Sequence, residues 1–406
     1  DKWIVYDIRN EDGQIGQTGS IEMINISGTE IKELYHTEGQ TAFGPGVGAV
    51  TFSPVADTVL FIHGIRNSDK ENPYSMTRRT GVAIDLEKPL HPVFMDARDI
   101  MPPFTAGALR GGTHAHSWSG DGQWISFTYN DYIIERLGKL DSSIKDMRTI
   151  GVMAPFGKVR PDSGSVENNP GEKFSAVVVK VKQDPAPGSD DIDKACEECW
   201  IGVNGYARAD GNIQRRAIAF QGNLRDEKGN LKTEVFVVDL PDNITRANTG
   251  QPLEGTTTSG PNVPYGVVQR RVSHTEWGIT GPRHWLRTTP DGSLIGFLTK
   301  GSEDMIQLFG ISPNGGAPRQ ITFQPFPIQG GFNFSPDGKQ VIYSADNSIF
   351  LTTIATRKSE RLAGPFSADA APAGTPVWSN NGKMVAYNRY LTNKEGRFLQ
   401  IFIINL

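Results

Sequence analysis

The sequence predicts an all-β fold, a seven-bladed β-propeller of four-stranded antiparallel blades. Three observations predict it. A turn phrase recurs along the chain, and its regular copies, at Asp291, Asp337 and Asn381, lie 46 and 44 residues apart. The third is the supply of turn formers, 45 Gly and 26 Pro in 406 residues, where seven blades need many tight turns.

Each unit is justified in order. Asp1 to Asp7 reads as a strand that follows a turn, its own inner strand missing. Phe52-Ser53-Pro54 with Asp57 precedes the strand Val59-Leu60-Phe61-Ile62. Trp118-Ser119-Gly120-Asp121-Gly122 runs into Trp124 to Tyr129, and a weaker copy, Ala209-Asp210-Gly211-Asn212, precedes Ala217 to Phe220. Thr289-Pro290-Asp291-Gly292 and Phe334-Ser335-Pro336-Asp337-Gly338 open the next two units, and Trp378-Ser379-Asn380-Asn381-Gly382 the last. Asp-Gly and Asn-Gly supply the positive φ angles of a hairpin, and the strands behind them are β-branched and aromatic. Third and fourth strands follow: Met305 to Ile311 with Pro318 to Thr322, and Ile349 to Ile354 with Glu360 to Leu362. The final unit stops after its third strand, Leu399 to Leu406. The two incomplete ends predict a ring closed by one blade shared between them, with a short N-terminal stretch lying ahead of this sequence. A leader peptide, and the choice between periplasm and cytoplasm, therefore stay open.

The whole of 1–406 reads as one propeller, with insertions at about 157–199 and 241–266 in the middle blades. Net charge is −4, which gives no reason to expect nucleic acid as a partner. No apolar run approaches the roughly 20 residues of a membrane helix.

The Ser-Pro-Asp-Gly-Lys hairpins are similar to the repeats of TolB-like, WD40-like propellers, a resemblance that implies a fold. Longer strings look like the YidR-type family of unknown function. Among them are Leu60 to Gly64, Leu109-Arg110-Gly111-Gly112-Thr113-His114-Ala115-His116, Gly266 to Arg271 and Pro282-Arg283-His284-Trp285. More distantly, Phe52-Ser53-Pro54 leading to His63-Gly64, with Thr113-His114 opening the next unit, resembles oligogalacturonate lyases. That resemblance implies a divalent metal held by His and Gln at the channel mouth, and His114 as one ligand. In such lyases the metal acidifies the C5 proton by holding the sugar carboxylate, and a base removes it. The family's later His-Pro-His string has no counterpart here.

Strand periodicity places His114 and His116 on one side of the innermost strand, facing the channel. Together they form the candidate metal pair. Arg110, His114, His116, Arg283, His284 and His63 are the candidate ligand-binding residues. A mouth lined by imidazole and guanidinium suits an acidic small molecule or oligosaccharide. His36 and His91 read as surface residues, and Trp118, Trp124 and Trp378 as core. Cys196-Glu197-Glu198-Cys199 reads as an incidental pair on a short helix over Ala195 to Trp200. It lacks the βαβ context of a redox centre and the second ligand pair of a zinc site. Asp190-Asp191-Ile192-Asp193 reads as a solvated loop. Two functions remain: a propeller that binds, or acts on, an anionic ligand, and a non-enzymatic scaffold that docks a protein.

Overall fold

The recurring phrase makes a turn because its hydroxyl and carboxylate bond each other and the backbone. In the computed structural model, Ser335 Oγ donates to Asp337 Oδ1 at 2.6 Å and accepts from Gln340 N at 2.9 Å. Asp337 also accepts from Lys339 N, and Gly338 takes φ +71°. The same network recurs around Ser119 and Asp121, and again around Thr289 and Asp291. Ser379 and Asn381 form the last copy. The structure describes every residue except 1, 10–13, 163 and 302. Asp1, the first residue of the predicted N-terminal strand, lies outside the described residues.

Seven antiparallel sheets follow in chain order. Blade one is Trp3–Asp7, Ser20–Asn25 and Ile31–His36; blade two is Val47–Phe52, Thr58–Gly64, Arg79–Asp85 and Val93–Phe94. Blade three is Gly111–Trp118, Ile125–Asp131, Thr149–Ala154 and Phe174–Val177. Blade four is Lys194–Trp200, Ala217–Arg225, Leu231–Asp239 and Val268–Arg271. Blade five is Arg287–Thr288, Ile295–Lys300, Ile306–Ile311 and Arg319–Gln320; blade six is Ile328–Phe334, Gln340–Ala345, Ser348–Thr353 and Lys358–Ala363. Blade seven is Pro372–Trp378, Met384–Asn393 and Gly396–Asn405.

Four expectations change. Trp3–Asp7 is itself the first strand of a three-stranded blade, paired only with Ser20–Asn25. Blade seven likewise has three strands, and among the described residues no backbone pairing joins it to blade one. The stretch 157–199 is not wholly an insertion, since it holds the last strand of blade three and the first of blade four. The Asp210-Gly211 turn belongs to a small extra hairpin, Tyr206–Ala207 with Ile213–Gln214, inside blade four's first connection.

The core lies between blades. Six clusters of buried apolar side chains each bridge one consecutive pair, from Val47 and Phe61 against Ile21 and Leu34 to Val385 against Ile342 and Leu351. Where neighbours cover both faces, a second strand buries every residue, as in Ile125–Asp131, whereas Ser20–Asn25 and Met384–Asn393 of the two end blades bury only alternate residues. Where backbones of adjacent blades nearly touch, only glycine fits. A Cβ on Gly112 would collide with the carbonyl oxygen of Met76 in blade two, and one on Gly111 with the carbonyl oxygen of Asn130 in its own blade, which accounts for the Gly111-Gly112 pair. Gly112→Ala is expected to lower unfolding stability by about 2–3 kcal/mol, an overpacking cost measurable by urea denaturation.

Candidate functional site

The inner strand of each blade is the one nearest the axis, and three of them are bulged in the same way. Across blade three the register passes from His114↔Thr128 to Ser117↔Ser126, so one extra residue is inserted. Blades two and four repeat this between Gly48 and Thr51 and between Cys196 and Cys199. At each bulge a non-glycine residue adopts a left-handed backbone: Ala49 (φ 57°), Ala115 (φ 58°) and Glu197 (φ 56°).

The bulge separates the two histidines predicted to act together. His114 shares a sheet face with its partner Thr128, whose hydroxyl donates to Glu198 of blade four at 2.9 Å. His116 lies on the opposite face, close to Gly81 of blade two, its Nε2 2.9 Å from Thr113 Oγ1. Both rings are buried, and neither nitrogen of His114 has a hydrogen-bond partner or touches solvent. Burial, then the nearby Arg79, Arg148, His116 and Arg283, hold His114 well below the usual imidazole range. Burial, then Arg79, lowers His116 to about 3. Both are therefore neutral at pH 7.

Of the other predicted residues, Arg283 stays near His114, while Arg110, His284 and His63 are dispersed. Arg110 is buried and occupied: Nε donates to Asp131 at 2.9 Å, and its two terminal nitrogens hold the carbonyls of Thr256 and Ser259. It anchors the 241–266 insertion rather than facing a ligand. His284 packs edge-on against Phe332 and stands 3.0 Å from that residue's carbonyl. His63 lies in the blade one–two core, 2.9 Å from the Tyr35 hydroxyl. Only Arg283, with 69% of its side chain exposed, meets solvent freely, and its Nε donates to Glu197.

What does gather around His114 is a set of guanidinium groups. Arg79 begins the third strand of blade two, and Arg148 directly precedes the third strand of blade three. Both stand at the end of the ring where inner strands begin. Arg79 stacks on Tyr74, 4.5 Å to the ring centre, and donates to Ser75 O; Arg148 donates to Asn130 Oδ1 at 3.3 Å. Among the described residues neither forms an ion pair. Burial, with Arg148 nearby, lowers the pKa of Arg79 even though Tyr74 opposes the shift. The sequence reading missed this pair, although a signal existed: Arg79-Thr80 and Arg148-Thr149 stand at equivalent positions of consecutive blades.

On the blade-four side, Glu197 and Glu198 are buried, each with one carboxylate oxygen unpartnered. Burial, with Glu197 beside it, pushes the Glu198 carboxyl up to about 7. A divalent ion does not fit here. Among the described residues no three His, Cys, Asp or Glu side chains gather where an ion could sit, and His114 is ringed by cations.

Ala195–Trp200, expected to be helical, is the inner strand of blade four. Cys196 and Cys199 lie on either side of its bulge as free, buried thiols, which burial pushes up to about 11 and about 12. Neither is expected to react with a disulfide reagent at pH 8 until the protein is unfolded. Rapid labelling of the native protein would contradict this placement. The acidic string is a solvated loop, as expected, with its carboxylates turned to separate cations: Asp190 to Arg271, Asp191 to Lys182 and Asp193 to Arg225. His36, His91 and His274 are exposed, and Trp124 is core.

Comparison with known proteins supplies relatives. Residues 46–168 match the family described as "Protein of unknown function (DUF3748)". The chain is 35% identical over 394 residues to "Uncharacterized protein YidR" of Escherichia coli K12, covering 95% of this chain and 89% of that protein. Among solved structures, an oligogalacturonate lyase in complex with manganese superposes with a TM-score of 0.52 at 10% identity, covering 95% of this chain and 82% of its own. The β-propeller domain of the Trilobed protease from Pyrococcus furiosus gives 0.50 at 10% identity, covering 100% and 92%. At such identities the two structures speak to fold alone.

Proposed function

The chain belongs to the DUF3748 family, and from that premise we propose that it binds a small anionic molecule at the end of the ring where the inner strands begin. One observation carries the reading. Arg79 and Arg148, near one another on adjacent blades, are half-buried, and no carboxylate of the described residues is paired to either. Like charges held together in a partly dry setting destabilise the fold, and an anion between them offsets that. Arg283 pairs with Glu197 and the buried Arg287 lies near Glu197 and Glu198, whereas Arg148 reaches Asp146 only through the Asn130 amide, so among the described residues Arg79 and Arg148 keep no carboxylate of their own. Arg283, engaged through Nε alone, has its terminal nitrogens available to close over a bound group. His114 adds no charge, since it is neutral.

Titration of the purified protein with acetate and with inorganic phosphate, followed by calorimetry and melting temperature, tests this. Arg79→Ala and Arg148→Ala are each expected to weaken anion binding about tenfold or more. Without ligand, both variants should be no less stable than the parent, because a like-charge contact is removed. An Arg79→Ala/Arg148→Ala double variant that responds to anions as the parent does would sink the proposal.

A second reading, a scaffold for a protein partner, has its own observation. The last strand of blade seven, Gly396–Asn405, pairs along one side only and exposes Phe398, Leu399 and Ile401. An edge of that kind can accept an added strand.

A further inference from the structure

We infer that the ligand of this site is a small acid that also carries a hydrogen-bond donor, a hydroxyl or an ammonium group, and that Glu198 with Glu197 receives that donor. The inference rests on the anion-binding reading and adds the second half of the ligand. Glu198 Oε2 accepts from Thr128 Oγ1, the residue paired with His114, while its Oε1 has no partner. Glu197 Oε1 accepts from Arg283 Nε, and its Oε2 has none. Both side chains are almost wholly buried, Glu198 at 2% and Glu197 at 3% exposure. Buried acceptors left unpaired are costly, and native structures keep few of them.

The two orphan oxygens sit on a bulge that holds Glu197 in a left-handed conformation, unfavourable for a residue with a side chain. Backbone strain and unpaired acceptors thus coincide beside the guanidinium groups that would take the anion. A plain anion, inorganic phosphate for instance, would satisfy the guanidinium groups yet leave both oxygens unpaired and be repelled by them. A molecule with an acid at one end and a donor one or two bonds away satisfies both halves. In the ligand-free chain these oxygens touch no solvent, so entry requires a side chain to move aside. Arg283, the most exposed of the set, is placed to do so.

The test compares acetate, glycolate and glycine on the full chain by ligand-observed magnetic resonance titration. Glycolate or glycine is expected to bind at least tenfold more tightly than acetate, and which of them does so identifies hydroxyl or ammonium as the donor. In Glu198→Gln, which keeps the side-chain shape, that advantage should fall below threefold. Equal affinities of the three acids in the parent protein, or an advantage that survives in Glu198→Gln, would overturn the inference while leaving the anion site intact. Failure of all three acids to bind the parent would overturn the anion site itself.

Discussion

Glu167→Ala is expected to lower the unfolding free energy by about 3–5 kcal/mol, the usual cost of stripping one partner from a buried ion network. Glu167, with 8% of its side chain exposed, lies between two guanidinium groups: Arg78 holds one carboxylate oxygen and Arg98 the other, the latter at 3.1 Å. Arg78 and Arg98 are themselves only 4% and 1% exposed, so removing the carboxylate strands two charges where water cannot reach them. Arg98 additionally donates to the carbonyls of Thr77 and Gly111, which ties blade two to the start of blade three's inner strand. The triad thereby clasps the 155–173 connection onto the ring. Urea denaturation measures the loss, and limited proteolysis should show early cleavage within that connection. A change below about 1 kcal/mol would mean that Asn168 on Asp99, and Asn169 on the carbonyl of Asp96, suffice to hold the segment.

The second large effect concerns acid. His63 lies 2.5 Å from the Gly64 carbonyl, which can only accept, so Nδ1 carries the proton and Nε2 accepts from Tyr35. Burial lowers its pKa to about 4. The folded state therefore binds fewer protons than the unfolded state between about pH 4 and 6.5. Stability from this group is present above pH 6.5 and is lost as pH falls through about 4. At 1.36 kcal/mol per pKa unit, the loss is on the order of 3 kcal/mol. His116 and His284, lowered to about 3, add the same sign. Asp96 and Glu198, raised to about 6 and about 7, act oppositely and favour the folded state at the acid end of that window. His63→Gln should therefore be less stable than the parent at pH 7.5, with the difference shrinking by about 1.4 kcal/mol per unit as pH falls below 6.5. Urea midpoints measured at several pH values between 4.5 and 7.5 test this. A difference that stays constant with pH contradicts a neutral His63.

Turns were legible from the sequence because each rests on a local side-chain network. Ser335, Asp337 and Gly338 carry their whole reason within six residues. Blade number followed from counting those turns and the strands behind them, spaced 46 and 44 residues apart where they are regular. The candidate site was legible only in its chemistry. Strand periodicity put His114 and His116 on one side, but the extra residue at Ala115 turned them to opposite faces, and nothing in an alanine announces that. Arg110 matched the pattern of a ligand arm, yet its partners, Thr256 and Ser259, lie some 150 residues further along the chain. Arg79 and Arg148 carried a signal in their shared position before Thr. Their meaning depended on neither being paired with a carboxylate of the described residues, which only the folded arrangement reveals. Cys196 to Cys199 read as a helical turn because the stretch was assigned to an insertion, and the one-residue bulge between the two cysteines breaks the alternation that marks a strand.

The repeated bulge has a consequence for how chains of this kind can change. Upstream of it, each inner strand obeys one odd–even parity, and downstream the other. Lose Ala49, Ala115 or Glu197, and every residue on one side of the deletion exchanges the neighbour it faces. Arg-facing acceptors would turn into apolar junctions, and core side chains into the polar gap. Exposed turns such as the one at Asp226 to Asn230 can lengthen or shorten at little cost, since their ends are fixed by strands. The handful of residues before each inner-strand aromatic cannot, and their number, more than their identity, preserves which blade each side chain addresses.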